Sequence, residues 1–198
     1  MAREEDTGKS EAELRERIWE LAEDIAICVL VTWDGKQQQA RPMSARLDGN
    51  RGVIFFLTAK TPGKTAEISE YPAVTASFAN SSKMKFVTFS GRAAVSNDRA
   101  KIRELWQSAD KAWWESPDDP DIRLITFRPD RAEIWDSPGM LVSGALMLAA
   151  AVGAAKPKIG DHAKVAMGAG KSAAPAGKKT AATKSVARKP AAAKPGRR

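Results

Sequence analysis

Apolar residues recur at two different periods along this 198-residue chain. Leu14, Ile18, Leu21 and Ala22 fall three or four apart, which places them on one face of a helix. Ser10 followed by Glu13 is a capping-box pair, so the first helix is predicted from about Ser10 to Asp24. After it the pattern changes to strands. "IAICVLVTW" and "QQQARPMSARL" flank Asp34-Gly35, a strong hairpin signal, and Asp48-Gly49-Asn50 turns the chain into a third strand, "GVIFFLTA". Thr61 as a cap and Pro62 in the first turn predict a short helix reaching about Tyr71.

Two more strands, "AVTASFAN" and "KFVTFSGRAAVS", are joined by Ser81-Ser82-Lys83. Asp98 can cap a helix that carries Ile102, Leu105 and Trp106 on one face. "WWESPDDPD" breaks regular structure with two prolines, and "IRLITFRP" and "RAEIWDS" read as two closing strands meeting at Pro129-Asp130. The count is a leading helix, about seven short strands and two or three further helices. That is a mainly β fold with peripheral helices, and antiparallel strands at this spacing suggest a small barrel.

Charge divides the chain. Residues 156–198 hold 12 Lys and Arg against the single acid Asp161, a net of +11, while residues 1–155 hold 20 against 23, a net of −3. The overall +8 therefore belongs to a tail. Its last part, "KSAAPAGKKTAATKSVARKPAAAKPGRR", has one branched aliphatic residue, Val186, and too little apolar surface to offset the entropy of ordering. The expected organisation is a folded domain over 1–155 and a disordered Lys/Ala/Pro-rich tail over 156–198. The run at 140–155 falls short of a membrane span and reads as a helix packing on its own protein, with an interfacial helix as the alternative. The polar N-terminus has no signal-peptide core. The single cysteine, Cys28, lies in an apolar strand as a small buried hydrophobe. These features point to a cytoplasmic protein without membrane attachment.

Candidate chemistry starts at "FFLTAKTPGKTAEI", residues 55–68. Its Gly63-Lys64-Thr65 ends like a nucleotide P-loop, but Thr58 stands where that loop needs its first glycine. A simpler anion cradle remains. Backbone N–H groups at the helix start, the Thr58 and Thr61 hydroxyls and the Lys64 ammonium can converge on one phosphate, with Arg41 of a neighbouring strand aimed at it. The alternative is a solvated lysine and a surface arginine. One histidine, His162, and one cysteine in different regions make no metal site and no Ser-His-Asp or Cys-His centre, and His162 reads as a solvated tail residue.

The ordered series "QQARPMSARLDGNRGVIFFLTAKTPGKTAEISEYPAVTASFAN", "FVTFSGRAAVSNDRAKIRELW" and "RAEIWD" resembles the general stress protein branch of the pyridoxamine 5′-phosphate oxidase-like, FMN-binding split-barrel family. The likeness runs from about Ser10 to Asp136. It implies a six-stranded antiparallel split barrel that forms a homodimer, with flavin at the subunit interface. It places Arg41, Pro42 and Met43 along the flavin, Arg41 reaching the phosphate. Phe56, Leu57 and Thr58 would supply backbone and hydroxyl contacts, Lys64 would bind the phosphate, and Trp106 would be an aromatic offered by the partner subunit or else a core residue. Oxidases acting on vitamin B6 hold their substrate with an arginine and a histidine near the C-terminus, and His162 lies beyond the barrel strands, so that activity is not expected.

The resemblance thus implies an oxidoreductase moving hydride or electrons between reduced nicotinamide and a small acceptor, its catalytic residues unassigned. A deazaflavin in place of FMN, and a non-enzymatic flavin-binding protein, are the alternatives. The basic tail adds a third class, non-specific nucleic-acid contact through residues 156–198.

Overall fold

The computed structural model describes residues 9–61, 63–138 and 161–167. The leading helix α1 spans Glu11–Ile25 with the expected capping box at Ser10. It lays Leu14, Ile18, Leu21 and Ala22 over the sheet. Strands follow as β1 (Ile27–Trp33), β2 (Gln38–Ser44), β3 (Arg46–Asp48) and β4 (Val53–Ala59). Helix α2 (Lys64–Glu70) precedes β5 (Ala73–Asn80) and β6 (Lys85–Ser96), and α3 (Arg99–Leu105) is capped by Asp98 as the sequence predicts. A short 3-10 turn (Ser108–Ala112) leads to β7 (Ile122–Asp136), and β8 (Asp161–Ala166) closes the described chain.

All pairings are antiparallel, in the order β2-β1-β5-β6-β7-β4-β3, with β8 also on β7. β2 and β3 are one strand broken at Ala45: its first half pairs with β1 and its second with β4. The sheet therefore closes on itself except where β2 parts from β4, and that opening is the split of a split barrel. Inside lie Phe56, Phe78, Phe89 and Phe127, none of them exposed, with Phe78 meeting Phe89 edge-on at 5.8 Å. β4 is buried on both faces, which explains its unbroken apolar run. Ile54 and Phe56 point into the barrel, while Val53, Phe55 and Leu57 pack with Ile102, Ile122 and Leu124 under α3.

Three expectations change. The strands expected to meet at Pro129-Asp130 are a single 15-residue strand, because β6 shifts register between Ser90 and Gly91 and lets β7 bend past it without turning. The helix after β4 begins at Lys64 with Gly63 as its cap, not at Thr61-Pro62. Gly63 has φ 115°, a backbone state open mainly to glycine, and no side chain caps the helix. Third, the domain boundary at 156 cuts off β8. β8 takes the edge of β7 beyond β4, buries Ala163 and Val165, and stacks His162 on Trp135 at 4.8 Å and 16°. His162 is a sheet residue rather than a solvated one, because the strand register sets it opposite Trp135. The expected helix at 140–155 and the tail beyond 167 lie outside the described residues.

The burial of Val165 and Ala163 is worth about 2 kcal/mol. A chain ending at residue 155 is thus expected to melt roughly 5 °C below one ending at 167, measured by circular dichroism. Equal melting temperatures would show that β8 adds nothing to the barrel.

Candidate functional site

At the split, a cleft of about 560 Å³ opens between β2 and the end of β4. Side chains of β2 alternate between two faces, and Pro42, Met43 and Ser44 border the cleft while Arg41 does not. Arg41 and Met43 take the inward positions, and Pro42 and Ser44 the outward ones. Met43 and Pro42 both line the cleft, opposite Leu57 and Thr58 of β4. Lys64 enters from the first turn of α2, and Trp113 and Trp114 close one side. A larger hollow of about 820 Å³ beside α1 is lined mainly by solvated charges of both signs, among them Arg15, Glu20 and Arg128, and offers no comparable apolar slot.

Lys64 is the residue to explain. Its ammonium donates to the Met43 thioether sulfur at 3.1 Å, a weak acceptor for a half-buried charge. Burial first, and the nearby Arg41 guanidinium second, lower its pKa, with Glu67 opposing. A cation in such a place is short of a counter-charge.

Arg41, expected beside it, is engaged elsewhere. Its guanidinium grips Glu67 of α2 in a two-pronged pair (Nη2–Oε1 2.8 Å, Nη1–Oε2 2.9 Å), and Nη1 also donates to the Thr32 hydroxyl at 2.9 Å. Thr32 in turn donates to Glu67. Burial pushes the Glu67 pKa up, but the hydrogen bonds from Arg41 and Thr32 outweigh it and hold the carboxyl below its ordinary value. This triad fastens α2 to β1 and β2, so Arg41 acts on the cleft by fixing the helix that presents Lys64.

Of the other candidates, Phe56 lies in the barrel interior, and Trp106 ends α3 against the second core cluster. Neither lines the cleft. Sequence reasoning left out Arg46 and Asp110, which lie 64 residues apart and meet only through the fold. It also left Trp113 and Trp114 unassigned. A doublet of large aromatics inside a polar, proline-broken segment was the available signal.

Among the described residues there is no group of three His, Cys, Asp or Glu side chains that could hold a metal, and no helix long and apolar enough to cross a membrane. Cys28 is buried, which pushes its thiol up to about 12 and leaves it unreactive.

A closed antiparallel sheet with one opening, and a cleft there walled by apolar, aromatic and cationic side chains, define a split-barrel protein. The family described as pyridoxamine 5′-phosphate oxidase like matches residues 13–158, and the chain belongs to it. Its structural neighbours place it in the general stress protein branch. A Jannaschia sp. CCS1 protein assigned as general stress protein 26 is 25% identical, with a TM-score of 0.65, covering 79% of this chain and 99% of its own. The general stress FMN/FAD binding protein of Xanthomonas citri is 28% identical, with a TM-score of 0.58 and coverage of 65% and 93%. A general stress family protein of Xanthomonas campestris pv. campestris is 27% identical, with a TM-score of 0.59 and coverage of 67% and 92%. No curated protein matches the chain.

Proposed function

We propose that the chain is an FMN-dependent oxidoreductase that binds its flavin non-covalently in the cleft at the split. The observation that carries this reading is Lys64, a half-buried cation whose only hydrogen-bond acceptor among the described residues is a thioether. A phosphate there would supply the missing counter-charge. The apolar wall of Leu57, Pro42 and Met43 and the indoles of Trp113 and Trp114 suit a flat ring. The flavin would supply the redox chemistry; the protein's part is to seat the phosphate, orient the ring and keep water from it. Neither Arg41 nor Glu67 is free to move protons, since each holds the other. The kinship with an FMN/FAD binding protein supports the same reading.

We also propose that the active unit is a homodimer. On the outward face of β1, Ile27 and Val29 stand 61% and 43% exposed beside Trp33, and Ile27 also lines the cleft. A second copy packed on this stripe would cover the apolar side chains and wall the cleft at once. Val29→Glu is expected to give monomers in sedimentation and to weaken FMN binding together. Dimers that persist in this variant would place the interface elsewhere.

The direct test is titration of flavin-free protein with FMN, followed by steady-state oxidation of reduced nicotinamide. No binding at micromolar flavin would end the reading; binding without turnover would leave a flavin carrier. The tail favours an added role, because residues 168–198 hold nine Lys and Arg and no acid. Salt-sensitive DNA binding that disappears in a chain ending at 167, with FMN binding unchanged, would support it.

A further inference from the structure

Three charged side chains line the cleft among the described residues: Lys64, Arg46 and Asp110. Two of them are engaged with each other. Arg46 of β3 and Asp110 of the 3-10 turn are 9% and 6% exposed, and Arg46 Nη2 donates to Asp110 Oδ1. Arg46 Nη1 donates to the Ser44 carbonyl at 3.2 Å, and the second Asp110 oxygen accepts from the Gln107 N–H at 2.8 Å. Arg46 Nε is buried with no partner among the described residues. The guanidinium is thus neutralised in charge but not saturated in hydrogen bonds. Lys64 presents the opposite case, with no carboxylate in hydrogen-bonding contact among the described residues.

We infer that Asp110 is a specificity-determining residue: by neutralising Arg46 it limits the cleft to ligands with one anionic group, seated at Lys64, their uncharged aromatic part lying toward Trp113 and Trp114. This inference rests on the cleft being the ligand site proposed above. An anion brought to Arg46 meets the Asp110 carboxylate at contact distance, and the repulsion offsets the attraction. Displacing Asp110 would leave a buried carboxylate unpaired, which is strongly unfavourable. The same residue holds the aromatic wall. The backbone N–H groups of Trp113 and Trp114 both donate to its carbonyl, at 2.9 and 3.1 Å. Charge selection and ring seating therefore depend on one side chain and its own peptide. A ligand carrying a second phosphate or carboxylate at its ring end is excluded.

The test uses the full chain and inorganic phosphate as the probe, read by melting temperature. In wild type, phosphate raises the melting temperature through Lys64, and Lys64→Met abolishes that response. Adding Asp110→Asn to Lys64→Met is expected to restore it, with a rise of about 3–5 °C at saturating phosphate, because Arg46 now lacks its counter-charge. Arg46→Met on top removes it again. A folded Lys64→Met/Asp110→Asn protein that ignores phosphate overturns the inference.

Should the Asp110→Asn protein fail to fold, Arg46→Gln serves instead. It unpairs the carboxylate, and the preference for FMN over riboflavin is expected to narrow; an unchanged preference overturns the inference. Wild-type titration with FMN separates the two readings. Failure to bind FMN removes the flavin assignment, whereas the phosphate responses report on Asp110 whichever ligand the cleft takes.

Discussion

Lys64→Met is expected to lower FMN affinity by roughly 10- to 100-fold while leaving the flavin-free protein as stable as wild type or more so. Charge-assisted hydrogen bonds to a phosphate are worth about 1.5–3 kcal/mol, which sets that range. The opposite sign on stability follows from the burial that lowers the Lys64 pKa. A lysine whose folded-state value is depressed destabilises the fold wherever the unfolded chain would carry the proton, and that cost fades as pH rises. Binding has the reverse dependence. The phosphate needs the ammonium, so FMN affinity should fall as pH rises through the lowered Lys64 value, beginning below the ordinary lysine range. Titrations between about pH 7 and 10 on wild type and Lys64→Met check both signs. The variant should be weak and nearly flat. Parallel curves for the two proteins would mean that the phosphate sits away from Lys64.

Gly91→Ala should destabilise the barrel by roughly 3 kcal/mol or more, seen as a melting temperature lower by at least about 6 °C. A Cβ at this position would lie 2.2 Å from the Arg128 carbonyl oxygen, 2.7 Å from Pro129 Cα and 2.9 Å from the Asp130 nitrogen. All three are backbone atoms of β7 and cannot rotate out of the way. Gly91 sits where β6 and β7 shift register, so relief requires moving the pairing that holds the longest strand. Ser90→Ala, one residue earlier, is the control and should change little. A Gly91→Ala protein that melts within about 2 °C of wild type would show that β7 can slide at this bend.

Helix α1 was legible because its signals are local: a capping box and a four-residue apolar stripe within fifteen positions. The Asp34-Gly35 hairpin was legible for the same reason, since Asp34 accepts from the N–H groups of Lys36 and Gln37 within its own turn. Pro129-Asp130 misled, because a proline and an aspartate read as a turn only when the partner strand is straight. Here the partner has a glycine that lets the backbones close up. β8 was hidden in a basic, low-complexity context, and only the open edge of β7 gives "DHAKVA" a reason to be a strand. At the cleft, Pro42, Met43, Leu57, Thr58 and Lys64 line one hollow, while Phe56 lies in the barrel core, Arg41 pairs with Glu67 and Trp106 packs on the second core cluster.

The sequence by itself determined the mainly β class and most of the strand boundaries, because each rests on residues near one another along the chain, and it determined the family through the order of those segments. Tertiary structure decided which arginine is available to what. Arg41 is taken by Glu67 across 26 positions and Arg46 by Asp110 across 64. A guanidinium in either strand could equally have faced a ligand. The fold settles the matter by bringing a buried carboxylate within hydrogen-bonding distance of each, and a buried ion pair, once formed, is costly to break.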